Sequence, residues 1–166
     1  YIPGDFVPHV RMMDTGYQNP SLANLFGLPY VVVRKVSPFD TTTLNYNWQM
    51  NQTNAFSVYS SATDKIDEES AGMVRYQSHS GYIATVIEEG DLASVRTDRA
   101  GLYKPRFRPG EEAARGDVLA EIIDPYEGEV ISQILSPADG IVFFAHSQPL
   151  VMEGTIIFKI IKRLHE

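Results

Sequence analysis

The chain has 166 residues and a hydrophobic fraction of 43%, enough for one ordinary domain or two small ones with a buried core. Its net charge of −7 and its scattered basic residues argue against a nucleic-acid partner, because phosphate backbones are bound by clustered Lys and Arg. The absence of cysteine excludes disulfides and thiolate chemistry and fits a reducing compartment, so we expect a cytoplasmic protein. No apolar stretch is long enough to cross a bilayer, and we expect no membrane partner.

The N-terminal residues predict a short helix followed by a buried strand. Asn19-Pro20 favours a helix start, because Pro at the first helical position loses no hydrogen bond. Gly27 suits the C-terminal cap of this helix. Three apolar side chains would give the helix a stripe that faces the core: Leu22, Leu25 and Phe26. The β-branched run over residues 30–33 is typical of a strand covered on both faces.

Residues 37–54 form a long polar excursion, and such excursions in compact domains are often functional. Its aromatic side chains predict a lid, an oligomer contact or burial against the same domain: Phe39, Tyr46 and Trp48. The alternating segment Phe56–Tyr59 predicts a strand. A helix that starts at Asp64 or Asp67 and runs to about residue 78 would follow it.

The C-terminal half predicts one short strand after another, separated by Gly and Pro turns. The predicted strands are Tyr82–Ile87, Leu92–Thr97, Leu102–Phe107, Val118–Ile123, Glu129–Leu135, Ile141–Ala145 and Ile156–Ile161. Regular short strands of this kind indicate a small barrel or sandwich. We therefore predict a domain boundary near residue 80, with α/β structure over 1–80 and an all-β domain over 81–166.

Three segments of this β half have a recognisable layout: Pro109–Ile122, Ser136–Val142 and Leu150–Phe158. Together they resemble the barrel-sandwich hybrid of biotinyl and lipoyl carrier domains. A carrier domain presents a lysine on the hairpin between its two halves. The matching segment here, Asp124–Gly128, has no lysine, which excludes a carrier.

The same hybrid domain closes the C-terminus of succinylglutamate desuccinylase/aspartoacylase proteins, which are carboxypeptidase-like zinc hydrolases. The N-terminal segments Leu22–Val33, Asn54–Tyr59 and Ile66–Ala71 look like the strands and helices that follow the metal site in that family. The chain therefore resembles the C-terminal part of such a protein. The resemblance implies the end of an α/β zinc hydrolase domain, followed by a barrel-sandwich hybrid domain.

The resemblance also implies a reaction. Family members hold one zinc through a His and a Glu close in sequence and a later His, and they hydrolyse the amide of an N-acyl amino acid or a related compound. The later His lies in an Asp-Leu-His-like segment that would end just before Tyr1. We therefore expect the zinc ligands upstream in the intact parent, no metal ligands within this chain, and an inactive fragment.

Several residues are candidates for the site. The family's general base is a Glu at the end of the strand that matches Phe56–Tyr59, and Asp64 is the weak substitute here. His9 and Arg11 would line the substrate pocket, with Arg11 holding a carboxylate, unless they lie in a solvated loop. Tyr126 and His146, expected on barrel loops, would reach over the cleft or be ordinary turn residues.

Two further expectations concern function without catalysis. The alternative to a deacylase is a non-catalytic binding or assembly module built on the hybrid domain. A sheet edge left open would also favour association, so we expect a homo-oligomer.

Overall fold

The computed structural model describes residues 3–62 and 83–163 of the chain. Three sequence predictions fall outside these ranges and stay predictions: the boundary near residue 80, the helix starting at Asp64 or Asp67, and Asp64 as a base. The described fold is mixed and sheet-rich, with few helices. Across these two ranges, no helix is long and apolar enough to span a bilayer.

The elements have the following bounds in chain order. The strands are β1 (Gly4–Phe6), β2 (His9–Asp14), β3 (Tyr30–Lys35), β4 (Ser57–Tyr59), β5 (Thr85–Glu88), β6 (Leu92–Arg96), β7 (Gly101–Pro105), β8 (Glu112–Ala113), β9 (Val118–Ile123), β10 (Val130–Leu135), β11 (Gly140–His146), β12 (Leu150–Val151) and β13 (Ile156–Lys162). The α-helices are α1 (Pro20–Ala23) and α2 (Leu44–Met50), and short 3-10 helices lie at Asn24–Phe26, Pro38–Thr42 and Glu89–Asp91.

The chain divides into two compact units. The mixed unit is Pro8–Gly90, and the β unit joins Tyr1–Val7 to Asp91–Glu166. Strand β1 pairs with β11, so a strand from the start of the chain completes a sheet of its C-terminal half. The sequence pattern did not predict this pairing, because local periodicity does not identify a partner so far along the chain.

The mixed unit is built on a sheet with the strand order β4-β2-β3-β5. Strands β2, β3 and β5 are parallel, and β4 runs antiparallel to β2. Val31 and Val32 are both fully buried. Successive strand residues face opposite sides, so β3 is covered on both faces, as predicted. The core of this unit includes Val10, Met12, Ala23, Leu28, Val31 and Ala84.

Helix α1 begins as predicted, but its apolar stripe does not face the core. The Asn19 side chain accepts a hydrogen bond from the Ser21 backbone N–H, and Gly27 closes the following 3-10 turn with φ of 66°. Leu25 is 53% exposed, whereas Ala23 is buried. The stripe prediction is wrong because the α-helix is only four residues long and then tightens into a 3-10 helix, which changes the spacing of the buried positions.

The excursion over residues 37–54 is a folded segment that contains a 3-10 helix and α2. Ser37 starts the 3-10 helix with a capping box, and the Thr43 hydroxyl caps α2 by accepting from the Tyr46 N–H. Phe39 and Trp48 are exposed. Burial of these two side chains against their own unit is therefore excluded within the described structure, while a lid or an oligomer contact stays a prediction.

Strand β5 differs from its sequence prediction in its partner. The pattern over residues 82–87 was placed with the β half, but β5 pairs in parallel with β3 in the mixed unit. Tyr30 pairs with Thr85, and Val32 pairs with Ile87. Alternation along a strand indicates which side chains are buried but not which sheet the strand joins.

The β unit contains two sheets. One has the order β1-β11-β13-β6, with β8 also paired to β11, and the other has the order β10-β9-β7-β12. Strand β9 has the predicted bounds, and the other predicted strands of this unit shift by one or two residues at their ends. The core between these elements includes Leu119, Ile122, Val142, Ile157, Phe158 and Ile160.

Candidate substrate-binding site

Strands β2 and β4 bring His9 and Arg11 together with Ser57 and Tyr59. The register pairs His9 with Tyr59 and Arg11 with Ser57. Residues two apart on a strand share a face, so His9 and Arg11 point to the same side of the sheet. His9 is fully buried. The prediction of a solvated loop for these two residues is therefore wrong.

Aromatic contacts hold this group together. The His9 and Tyr59 rings are stacked, with centroids 4.8 Å apart and an interplanar angle of 7°. The Arg11 guanidinium carbon lies 5.2 Å from the centroid of the same Tyr59 ring, within the range of a cation–π contact. The Tyr59 ring therefore orients the Arg11 side chain.

A cavity of about 140 Å³ lies against this face of the sheet. Strands β2, β3 and β4 and helix α2 line it with Arg11, Met12, Met13, Arg34, Asn45, Ser57 and Tyr59. Among the described residues, this lining contains two arginines and no acidic residue. A space with such walls favours an anionic group over a cation.

Side chains of α2 close one side of the cavity through a continuous hydrogen-bond network. The Thr15 hydroxyl donates to Gln49 Oε1 at 2.9 Å, and Gln49 Nε2 donates to Asn45 Oδ1. Asn45 Nδ2 in turn donates to Ser57 Oγ at 3.1 Å. Gln49 is fully buried, and these bonds satisfy its amide. The network fixes Asn45 against the sheet.

Arg34 is neutralised by a carboxylate within the same unit. Its guanidinium donates to both oxygens of Asp40, one of them at 2.7 Å. The Ser37 backbone N–H also donates to Asp40, at 2.7 Å. The Arg34 hydrogen bonds and this N–H bring the pKa of Asp40 to about 2, below the ordinary 3.8. Asp40 therefore stays ionised and occupies Arg34.

Arg11 has a weaker partner. Its Nη2 lies 3.5 Å from Glu89 Oε1, at the outer limit of a hydrogen bond. The Glu89 side chain is 42% exposed, whereas the Arg11 side chain is 22% exposed. Arg11 Nε is buried and has no hydrogen-bond partner among the residues that the structure describes. Arg11 is thus a partly buried cation with unused donors.

A second, larger cavity of about 420 Å³ lies at the carboxyl ends of the parallel strands. Its lining is Asp14, Val33, Arg34, Lys35, Glu88, Glu89 and Gly90. Ligands of open α/β sheets commonly bind at such an edge. The mixture of acids and bases here gives no preference for the charge of a ligand.

The candidates of the β unit have very different environments. Tyr126 is 95% exposed in the turn after β9, where Asp124 Oδ1 accepts hydrogen bonds from the Tyr126 and Glu127 N–H groups. His146 is the last residue of β11 and is buried, so its predicted place on a loop is wrong. Burial lowers the pKa of His146, and its ring meets Tyr103 edge-on at 5.9 Å. Their roles in substrate binding stay predictions.

The described residues do not form a zinc site. A catalytic zinc needs three protein ligands at one point. Within residues 3–62 and 83–163, no group of three or more His, Asp or Glu side chains is close enough to hold a metal ion. A zinc would therefore need ligands from outside the described part of the chain.

Sequence reasoning missed the residues that surround Arg11. Strand β2 was not predicted, although polar and apolar residues alternate along its first four positions, residues 9–12, and Val10 and Met12 are buried. That alternation is the signal that could have revealed it. The contributions of Asn45 and Gln49 have no such signal, because they depend on how α2 packs against the sheet.

The chain is similar to known proteins in structure but not detectably in sequence. The sequence matches no protein-family model, and no curated protein matches it significantly. Solved structures do share its fold. The product-bound ectoine utilization protein EutE (DoeB) from Ruegeria pomeroyi has a TM-score of 0.76 at 15% identity, with 95% of this chain and 54% of that chain covered.

Two further solved structures give the same result. A succinylglutamate desuccinylase/aspartoacylase from Rhodobacter sphaeroides has a TM-score of 0.73 at 19% identity, with 99% of this chain and 56% of that chain covered. An aspartoacylase family protein from Mesorhizobium loti has a TM-score of 0.68 at 16% identity, covering 99% and 55%. The chain thus spans just over half the length of these proteins.

The described residues form a mixed unit with a partly parallel sheet and a β-rich unit. Nearly the whole chain has the fold found in a part of succinylglutamate desuccinylase/aspartoacylase structures. The resemblance predicted from the sequence is confirmed at the level of fold.

Proposed function

We propose that this chain is the C-terminal portion of a zinc-dependent hydrolase that removes the acyl group from an N-acyl amino acid or a related compound. The observation that carries the proposal is the fold similarity over 95–99% of the chain to proteins described as a desuccinylase, an aspartoacylase and EutE. We also propose that the β unit is a barrel-sandwich hybrid domain. Its two small sheets and its glycine turns support that assignment.

In this proposal the chain supplies substrate-binding residues, and zinc is held by residues outside its described part. Arg11 holds a substrate carboxylate, since a guanidinium matches a carboxylate with two parallel hydrogen bonds. His9 keeps Tyr59 in place beside it. Tyr126 and His146 contribute from the β unit, and Asp64 acts as the general base.

The test compares this chain with the protein encoded by its complete gene. Zinc content would be measured by mass spectrometry, and hydrolysis would be followed on a panel of N-acetyl and N-succinyl amino acids. We expect the complete protein to bind one zinc and to hydrolyse at least one substrate, while the 166-residue chain alone does neither. A zinc-loaded complete protein that hydrolyses none of the panel would contradict the proposal.

The alternative is a non-catalytic binding module, and one observation favours it. Strand β4 ends at Tyr59, where the resemblance implies a catalytic Glu, and Ser60 and Ser61 follow. Tyr59, which stacks on His9 and contacts Arg11, is suited to positioning a ligand and lacks the carboxylate that the resemblance implies for the general base. The complete protein would then bind N-acyl amino acids without turnover, which calorimetry combined with the same assay would reveal.

Two further proposals concern the cellular location and the oligomeric state of the protein. We propose a cytoplasmic location, supported by the absence of cysteine from the sequence. We also propose self-association, supported by exposed apolar side chains on the sheet β10-β9-β7-β12. Leu102, Val130 and Leu150 are among them. A monomer in light scattering across a concentration series would contradict self-association.

A further inference from the structure

We propose that the cavity beside Arg11 receives one carboxylate group of the ligand, and that Glu89 is an internal competitor which that carboxylate must displace. Naming this ligand a substrate rests on the proposed function; the carboxylate site and its competitor rest on the geometry of the mixed unit alone.

The two arginines that line the cavity have different partners. Arg34 donates to both oxygens of Asp40, whose carboxylate receives a further backbone N–H. The charge of Arg34 and two of its N–H donors are therefore matched by a carboxylate of its own chain. Arg11 instead has a single ion-pair contact of 3.5 Å, and its buried Nε has no hydrogen-bond partner in the described structure. Of the two arginines, Arg11 is therefore the one whose charge is less well matched by the described residues.

Leaving the partly buried Arg11 guanidinium with an unpaired N–H group costs free energy. A guanidinium that is removed from water needs counter-charge or hydrogen bonds, because desolvation penalises the ion. The Tyr59 ring at 5.2 Å supplies part of that stabilisation. It does not satisfy the N–H groups, which lie in the plane of the guanidinium. A planar anion in the same plane would satisfy them.

The lining and the volume of the cavity determine which chemical group it can hold. Two of its other polar side chains, Asn45 and Ser57, bond to each other at 3.1 Å, and Arg34 is paired with Asp40. Among the described residues, no acidic side chain lines the cavity, so this lining favours a negative group. A volume of about 140 Å³ accommodates one carboxylate with a short stem and excludes a large polyanion.

Glu89 supplies the carboxylate that contacts Arg11 within the chain. It lies at the start of the 3-10 helix Glu89–Asp91, directly after β5, and approaches Arg11 from the neighbouring cavity. Its carboxylate is the same chemical group that we propose for the ligand. At 42% exposure and 3.5 Å the pair contributes little, since exposed ion pairs are typically weak. A ligand carboxylate that reaches two N–H groups of Arg11 would displace it.

The experiment measures acetate binding to the 166-residue chain by NMR, without zinc, at constant ionic strength set with chloride. The backbone amides of Ser57 and Tyr59 report on the cavity. We expect these resonances to shift saturably with acetate and not with methylammonium. Far-UV circular dichroism would establish that each variant is folded.

Three variants decide between outcomes. Arg11→Lys keeps the charge but loses the paired N–H geometry, and we expect it to weaken acetate binding about tenfold. Glu89→Gln removes the competitor, and we expect it to tighten binding about 2- to 5-fold. The matched control is Glu88→Gln, which removes the same charge one residue away and should leave binding unchanged.

The proposal is overturned if Arg11→Lys binds acetate as the wild type does, or if Glu89→Gln fails to tighten binding. Equal tightening by Glu88→Gln and Glu89→Gln would also overturn it, because that result indicates a general charge effect. The complete protein could fail to hydrolyse N-acyl amino acids while the chain still shows this acetate response. That result would contradict the proposed function but not the carboxylate site. Hydrolysis without the acetate response would remove this inference alone.

Discussion

The Tyr59 ring stacks on His9 and lies 5.2 Å from the Arg11 guanidinium carbon, so one aromatic side chain contacts two candidate residues. All three side chains lie on one face of the β2–β4 pair. This arrangement explains how a strand in the middle of a sheet can keep an arginine in a partly buried position. The ring therefore contributes to the position of both residues.

Replacing this ring should therefore matter more than removing its hydroxyl. We expect Tyr59→Leu to lower the free energy of unfolding by about 1–2 kcal/mol, through loss of the stacking and cation–π contacts. Tyr59→Phe keeps both ring contacts, so it should lower the free energy of unfolding less than Tyr59→Leu does. Urea unfolding of both variants measures the difference. Equal destabilisation by the two changes would contradict this role of the ring.

The Asp40 carboxylate should make the mixed unit sensitive to acid. Its folded pKa of about 2 lies below the ordinary 3.8, so the stability it contributes is present above pH 4 and is lost as pH falls toward 2. We expect Asp40→Asn to lower the free energy of unfolding at pH 7 by about 1–3 kcal/mol. The variant should also lack part of the wild-type loss between pH 4 and 2. Asp14→Asn, at an exposed position, serves as the control.

Gly140 should tolerate no side chain, because it begins β11 directly against β13. A Cβ at this position would lie 2.0 Å from the Ile161 carbonyl oxygen, which belongs to the backbone and cannot rotate away. We expect Gly140→Ala to lower the free energy of unfolding by about 3 kcal/mol. Gly90→Ala, where no atom of the described residues beyond its chain neighbours lies within 4 Å of the added Cβ, should change it by less than about 0.5 kcal/mol. Thermal unfolding of the two variants gives the comparison.

The buried imidazole of His146 should destabilise the β unit at mildly acid pH. Burial lowers its pKa, so the unfolded chain takes up the proton at a higher pH than the folded protein does. The stability contributed by the neutral ring is therefore present above the unfolded pKa of about 6.5 and is lost as pH falls below it. We expect His146→Phe to remove this dependence between pH 7 and 5. An unchanged pH profile in the variant would show that another group is responsible.

Substitution of Tyr126 distinguishes a role in substrate binding from a role in stability. At 95% exposure it contributes almost nothing to packing, so Tyr126→Ala should change the free energy of unfolding by less than about 0.5 kcal/mol. If it contributes to substrate binding as we propose, the variant of the complete protein should show a raised KM with a nearly unchanged kcat. The control is Tyr17→Ala, at another exposed tyrosine. An unchanged KM would remove Tyr126 from the site.

Much of the local structure could be predicted from the sequence. The Asn19 cap, the Gly27 turn, strand β3 and the strands of the β unit follow from residue preferences that act over a few positions. The absence of a lysine from Asp124–Gly128 also distinguishes this chain from a carrier domain by residue identity alone. Such features depend on the chemistry and backbone preferences of individual residues, and residue identity alone determines both.

The candidate site depended on tertiary structure. The sequence placed Arg11 among the candidates, but only strand pairing set Arg11 against Ser57 and His9 against Tyr59. Likewise, only the folded chain gave Arg34 its partner Asp40 while leaving Arg11 with a weak one. The physical reason is that residue preferences act between neighbours in sequence, whereas the charge balance of a cavity depends on side chains that folding brings together from separate segments.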